Sequence, residues 1–355
     1  MFSSLPFSFM FFTIMVAGTV FSLSSSHWLG IWAGLEVNLI GFLPVLVYQK
    51  EMLESESAVK YFIVQALGSS FLIFGSLFSY SLSFSWEFLN QGILGAPFGS
   101  LYLIMGLLLK MGVFPFHFWF PSVMAGLSWI SCLLLTTWQK VAPIFLIMCL
   151  IDAKLVYTVF ILLCVLGAGS SLMGGLGGMN QTQIRALLAY SSIGHMGWII
   201  YAACYSESGM KVYFSIYVVI TICVFLSLWA LDLGSLSNLG SLNKKNSNGA
   251  FSFMVMLLSL GGLPPFLGFI SKWVVVNLAM STDSWGFLFI LIIGSLLSLF
   301  YYLNLFFSEV LSLKISFVSA FNLSAQSMGW CVNPLLIVNL LGGVPLIFYL
   351  LVGFF

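Results

Sequence analysis

The chain has 355 residues, of which 61% are hydrophobic and 6% charged, with a formal net charge of +1. A soluble domain carries about 25% charged residues, so this composition excludes a soluble globular fold. A net charge so close to zero, with no basic patch, also excludes nucleic acid as a partner.

The apolar residues fall in unbroken runs of about 20, the length a helix needs to cross roughly 30 Å of hydrocarbon. In lipid every backbone N–H and C=O must be satisfied within the chain, which leaves helix bundles and closed barrels. Barrel strands are shorter and alternate polar with apolar residues. The runs therefore predict an all-α polytopic transmembrane bundle, packed too continuously for a domain break, so that residues 1–355 form one domain. No Lys or Arg precedes Lys50, so neither a basic leader nor an Arg-rich transit peptide is expected. Six cysteines lie far apart without a C-x-x-C, which predicts packing residues with no metal site and no disulfide framework.

Eleven spans are predicted. The first covers 5–24 and the second 28–48, with His27 at the interface between them. The second span carries Glu36 in WLGIWAGLEVNLIGFLP, too deep to reach water by extending its side chain. A charge at the bilayer centre costs about 2.5–3.5 kcal/mol on insertion scales, so its natural neighbour is a lysine. The third span covers 58–82 and the fourth 97–115. The fourth carries Lys110 ahead of KMGVFPFHFWFP, where Pro115 would free the carbonyl of Met111. His117 follows as the run leaves the membrane among interfacial aromatics.

The fifth span, 124–148, carries Lys140 in TTWQKVAP, where Pro143 would free the carbonyl of Gln139. The sixth covers 154–174 and ends at Gly174, Gly175, Gly177 and Gly178. That cluster fails the G-x-G-x-x-G spacing and has no Walker lysine, so it predicts a tight turn, with Asn180 and Thr182 available to cap the next helix. The seventh span, 180–204, holds His195 among Ser191, Ser192 and Gly194. The eighth covers 210–232. The ninth, 250–279, contains LSLGGLPPFLGFISKW, in which Pro264 and Pro265 would break the helix ahead of Lys272. The tenth and eleventh cover 284–308 and 333–354.

Four ionisable residues, Glu36, Lys110, Lys140 and Lys272, thus lie at membrane depth, and each lysine stands beside a predicted helix break. Interrupted apolar helices are the best sequence pointer to a transport site. A Glu–Lys pair near 4 Å gains about 4 kcal/mol at an effective dielectric of 20, and separating it makes a desolvated lysine release its proton more readily. That is the central element of a proton relay. His117 and His195 are possible further relay groups, since imidazole exchanges protons near neutral pH. The bland readings are a static ion pair that fixes helix packing, simple proline kinks and hydrogen-bonded packing histidines.

Basic residues set orientation. Six of them (Lys50, Lys60, Arg185, Lys244, Lys245 and Lys314) hold or border loops on the N-terminal side, against Lys154 and Lys211 opposite. The N-terminus is therefore expected in the cytoplasm or matrix and the C-terminus on the other side. No nucleotide, haem or iron–sulfur motif occurs in the sequence, so no cofactor is expected on this chain.

Taken together, WLGIWAGLEVNLIGFLP, LLLKMGVFPFHFWFPSV, LLLTTWQKVAPI, GGMNQTQIRALLAYSSIGHMGW and LLSLGGLPPFLGFISKW resemble the NADH dehydrogenase subunit 2 family of mitochondria, antiporter-like membrane subunits of respiratory complex I. The likeness runs from about residue 28 to residue 276, and the last 80 or so residues carry little of it. It implies a subunit of the inner mitochondrial membrane that moves protons while other subunits oxidise NADH and reduce ubiquinone. Its partners would be the other membrane subunits and lipid, with neither NADH nor quinone bound directly. The family's buried glutamate falls on Glu36 and its successive lysines on Lys110, Lys140 and Lys272. Ala186 departs from a common lysine, and Leu267 from a frequent threonine. A free-standing cation/proton antiporter and a purely structural membrane subunit are the competing functions.

Overall fold

The computed structural model describes residues 8–48, 51–83, 97–152, 157–231, 247–280, 284–316 and 339. All elements described are helices. In chain order they are α1 (Ser8–Ser24), α2 (Trp28–Leu46), α3 (Met52–Ser83), α4 (Pro97–Met111), α5 (Trp119–Gly126), α6 (Trp129–Thr136) and α7 (Trp138–Asp152). There follow α8 (Tyr157–Gly178), α9 (Ile184–Tyr205), α10 (Glu207–Leu231), α11 (Ser247–Gly261), α12 (Leu267–Met280) and α13 (Trp285–Ser316). Seven stretches among the described residues are long and apolar enough to cross a membrane, and four shorter apolar helices accompany them. The transmembrane helix bundle expected from the sequence is the fold. The predicted eleventh span apart from Asn339, and Lys50, Lys154, Lys244, Lys245 and Cys331, lie outside the described residues.

The chain forms two compact units, Met1–Leu166 and Gly167–Phe355, with the boundary inside α8. In the first, small residues let backbones approach, as is usual between helices in lipid. A Cβ on Gly34 would stand 2.5 Å from the backbone nitrogen of Ser22, and one on Gly106 2.9 Å from the carbonyl oxygen of Gly68. The first closes α1 onto α2 and the second α3 onto α4. The stem of Lys110 lies over Gly68, whose missing side chain leaves it room.

In the second unit the glycine cluster departs from expectation. Gly174, Gly175, Gly177 and Gly178 lie within α8 rather than in a turn. A Cβ on Gly174 would meet the nitrogen of Gly194 at 2.6 Å, and one on Gly175 the carbonyl of Gly294 at 2.8 Å. The glycines are spent on close packing against α9 and α13, which a sequence rule for turns does not see. Nor do Asn180 and Thr182 cap α9: Gln183 occupies that position, without a side-chain cap bond.

The predicted fourth and ninth spans are both discontinuous. α4 ends at Met111, Gly112 takes φ +70°, and Phe114–Pro115 is a cis bond. α11 ends at Gly261, Gly262 takes φ +78°, and Pro264–Pro265 is a cis bond. Both ends close alike. The N–H of Gly112 donates to Leu109 and that of Val113 to Leu108, while Gly262 donates to Ser259 and Leu263 to Leu258. This left-handed glycine cap satisfies carbonyls that a helix end otherwise leaves open, which matters most where no water can reach them. The break near Lys140 differs from expectation. Pro143 lies inside α7, and the backbone departs at Thr137, with φ −110° and ψ −70°. A proline ring clashes with the carbonyl four residues earlier, so its distortion falls on the turn N-terminal to it.

Candidate functional site

In the first unit α2 and α4 bring Glu36 and Lys110 together: Lys110 Nζ stands 3.8 Å from Glu36 Oε1. The lysine side chain is 4% exposed and the glutamate 25%. At that separation the attraction is about 4 kcal/mol at an effective dielectric of 20. Burial of the lysine opposes it, so the pair's net worth is smaller. The carbonyl of Lys110, in the last turn of α4, accepts a hydrogen bond of 3.3 Å from Gln65 Nε2 on α3. The broken helix therefore exchanges a lost backbone partner for a side-chain one.

Beside the ion pair lies a cavity of about 10 Å³ for water centres, lined by Leu35, Asn38, Leu39, Tyr61, Gln65, Lys110, Gln139 and Pro143. That is room for about one water. Asn38 Nδ2 donates to Gln139 Oε1 at 2.8 Å, and Gln139 Nε2 donates back to Asn38 Oδ1 at 3.2 Å. The Tyr61 hydroxyl donates to the same Gln139 oxygen at 3.5 Å. None of these polar groups stands out in the sequence, because uncharged amides and phenols give no alarm inside an apolar run.

Lys140, the residue after Gln139, is 2% exposed. Its ammonium lies 4.7 Å from the centre of the Phe120 ring on α5. A desolvated cation over an aromatic face gains about 2 kcal/mol. His117, expected at the interface, is instead buried at 1% exposure, in the α4–α5 break. It packs between Phe114 and Phe118, with ring centres 6.0 and 4.1 Å away. The chain does not leave the bundle at the break: Gly99, Gly106 and Gly126 approach α3 at Gly75, Gly68 and Leu53 in turn, so α5 carries on along α3 and His117 stays inside.

In the second unit Lys272 reaches from α12 to the broken end of α11, where its Nζ donates to the Gly261 carbonyl at 2.7 Å. A cation at a helix C-terminus is favoured by the helix dipole. Gly262 leaves the space: a Cβ there would lie 2.9 Å from the same nitrogen. Thus the sequence's Pro264–Pro265 break and its lysine form one local structure.

Lys272 also lines a cavity of about 10 Å³ for water centres, with Ser171, Ser191, His195, Ser295 and Ser298. Each of these serines donates its proton to a carbonyl of its own helix, at 2.7–2.9 Å. Their oxygens are thereby left as acceptors, a wall suited to water or a protonated group. His195 Nδ1 and the Tyr213 hydroxyl share a hydrogen bond of 3.0 Å. Tyr213 therefore joins the groups that the sequence did not single out.

Chemically, each unit offers a buried ammonium at a helix break, a polar cavity of one-water size and hydrogen-bonding side chains around it. Among the described residues there is no cluster of His, Cys, Asp and Glu able to hold a metal.

Comparison with known proteins follows the same lines. Residues 25–298 match the family model described as NADH:quinone oxidoreductase/Mrp antiporter, TM. The chain is 38% identical over 297 residues to NADH-ubiquinone oxidoreductase chain 2 of Lumbricus terrestris, covering 83% of this chain and 84% of that one. It is 40% identical over 299 residues to the protein of the same name from Anopheles gambiae, covering 84% of each. Among solved structures it is similar to a chain of respiratory complex I from Thermus thermophilus, with a TM-score of 0.79 and 27% identity over 95% of this chain and 78% of that one. The chain is a multi-pass membrane protein and belongs to the NADH:quinone oxidoreductase/Mrp antiporter transmembrane family, alongside its NADH-ubiquinone oxidoreductase chain 2 members.

Proposed function

We propose that this chain is a proton-translocating subunit of an NADH:ubiquinone oxidoreductase of the mitochondrial inner membrane, with its N-terminus in the matrix. Glu36 and Lys110 act as the charge switch, and Lys140 and Lys272 take up and release protons within their own units. His117 and His195 are secondary proton carriers. Redox chemistry, cofactors and the binding of NADH and quinone belong to other subunits of the complex. The relatives named NADH-ubiquinone oxidoreductase chain 2, and the likeness to a chain of respiratory complex I, support the assembly.

One observation carries the reading: among the described residues, each of the three buried lysines at a helix break has a group that holds its charge inside the bundle. For Lys110 this is Glu36, for Lys140 the Phe120 face and for Lys272 the Gly261 carbonyl. Residues so placed are functional by default in a membrane interior. The test is proton pumping by the assembled complex in vesicles, with Lys140→Met or Lys272→Met. Protons moved per NADH oxidised should fall at least threefold in each. An unchanged ratio in both variants contradicts the assignment.

A further inference from the structure

The first unit holds polar groups that the proton-carrying set does not use. Asn38 and Gln139 form a closed, reciprocal amide pair, 2.8 and 3.2 Å in its two directions. Placing two amides in an apolar interior is costly unless they are satisfied. Here they satisfy each other, and Tyr61 adds a third contact. The pair fixes α2, α3 and α7 to one another at a single point. On α2, Asn38 is two residues beyond Glu36; on α7, Gln139 is the residue before Lys140 and two beyond the backbone departure at Thr137.

Donor and acceptor accounting goes further. An amide has two N–H donors and a carbonyl with two lone pairs. The reciprocal pair engages one N–H of each amide, leaving a second N–H on Asn38 and on Gln139. Gln65 donates its bond to the Lys110 carbonyl, which leaves its own side-chain oxygen as an acceptor. These groups and Lys110 line one cavity with room for about one water. Amides neither gain nor lose protons near neutral pH, so they can orient a water but not carry charge.

We propose that Asn38 and Gln139 are positioning residues, whose amide pair orders a water beside Lys110 and holds the first turn of α7, and with it Lys140, for proton transfer. A proton leaving Lys110 Nζ adds to the water oxygen while the water releases another of its protons to the neutral amine of Lys140 on α7, so that one ammonium is lost and one is formed. The amides change only their hydrogen bonds. The proposal rests on the proton-carrying function assigned to this chain.

The test compares vesicle-reconstituted complexes carrying Gln139→Met, the exchange Asn38→Gln with Gln139→Asn, and Lys140→Met. Assembly is checked by blue-native electrophoresis. Gln139→Met keeps length and volume but removes the amide, and protons moved per NADH oxidised should fall at least threefold. The exchange restores both amides across the same gap and should return most of the ratio, a rescue that a filling role would not require. Should Gln139→Met not assemble, Asn38→Leu breaks the pair from the other helix and is read in the same way. Normal pumping with Gln139→Met while Lys140→Met pumps poorly overturns the positioning role and leaves the function standing. An assembled exchange variant that pumps as poorly as Gln139→Met also overturns it. Normal pumping with both Lys140→Met and Lys272→Met sinks the functional assignment itself.

Discussion

At the scale of the residue, the four buried ionisable groups were legible because charge inside an apolar run is conspicuous on energetic grounds alone. Their surroundings were not. Asn38, Tyr61, Gln65 and Gln139 are polar without being charged, and only the crossing of α2, α3 and α7 gathers them around one cavity. His117 reads as interfacial for a related reason: the end of an apolar run in sequence is not the end of the span when a broken helix resumes as α5 along the same neighbour, α3. Gly262 illustrates how much a single atom decides. Its φ of +78° and the Lys272 ammonium 2.9 Å from its missing Cβ both oppose a side chain. Gly262→Ala should destabilise the chain by about 1 kcal/mol or more from backbone strain. Because it also pushes Lys272 off the Gly261 carbonyl, it should lower pumping. Gly261→Ala is the control. A Cβ there finds its nearest atom at 3.5 Å, and thermal stability and pumping should stay close to wild type. Equal losses in both variants, measured by thermal unfolding and vesicle acidification, would contradict this account of the site. Glu36→Gln isolates the ion pair: it keeps the side chain's shape and removes the charge 3.8 Å from Lys110. In an assembled complex it should lower protons moved per NADH at least twofold, whereas a purely structural pair predicts no change.

At the scale of the element, the spans were legible from length and hydropathy, and the α4 and α11 breaks from proline placed after lysine or glycine. The site of the third departure was not, because proline disturbs the turn before it and the distortion surfaces at Thr137. The glycine cluster of α8 reads as a turn in the sequence because glycine signals a turn and a close helix crossing equally well; only the neighbour decides. Gly174 lies against the backbone of α9, so Gly174→Ala drives a methyl group to within 2.6 Å of the Gly194 nitrogen and must separate the helices. Gly286 in α13 has nothing within 4 Å of the same position. Alanine is the better helix former by about 1 kcal/mol, so Gly286→Ala should leave stability unchanged or slightly raised. Detergent-solubilised thermal unfolding should show a fall of several degrees for the first variant and none for the second. The reverse order would mean that propensity, rather than packing, governs this bundle.

At the scale of the whole molecule, each compact unit has the same local device: a helix ended by a left-handed glycine and a proline, a buried ammonium at or facing that end, and a polar cavity of one-water size. Lipid dictates this economy. A broken helix is tolerated in a membrane only where protein or a hydrated cavity satisfies its backbone, and a charge only where it is held. The claim on which everything rests is that these cavities are wet and in contact with the lysines. A density map of the assembled complex at a resolution that shows ordered water tests it most directly. Water is predicted within hydrogen-bonding distance of Lys110 in the first unit and of Lys272 in the second. Dry cavities, with either ammonium turned towards lipid, would contradict it.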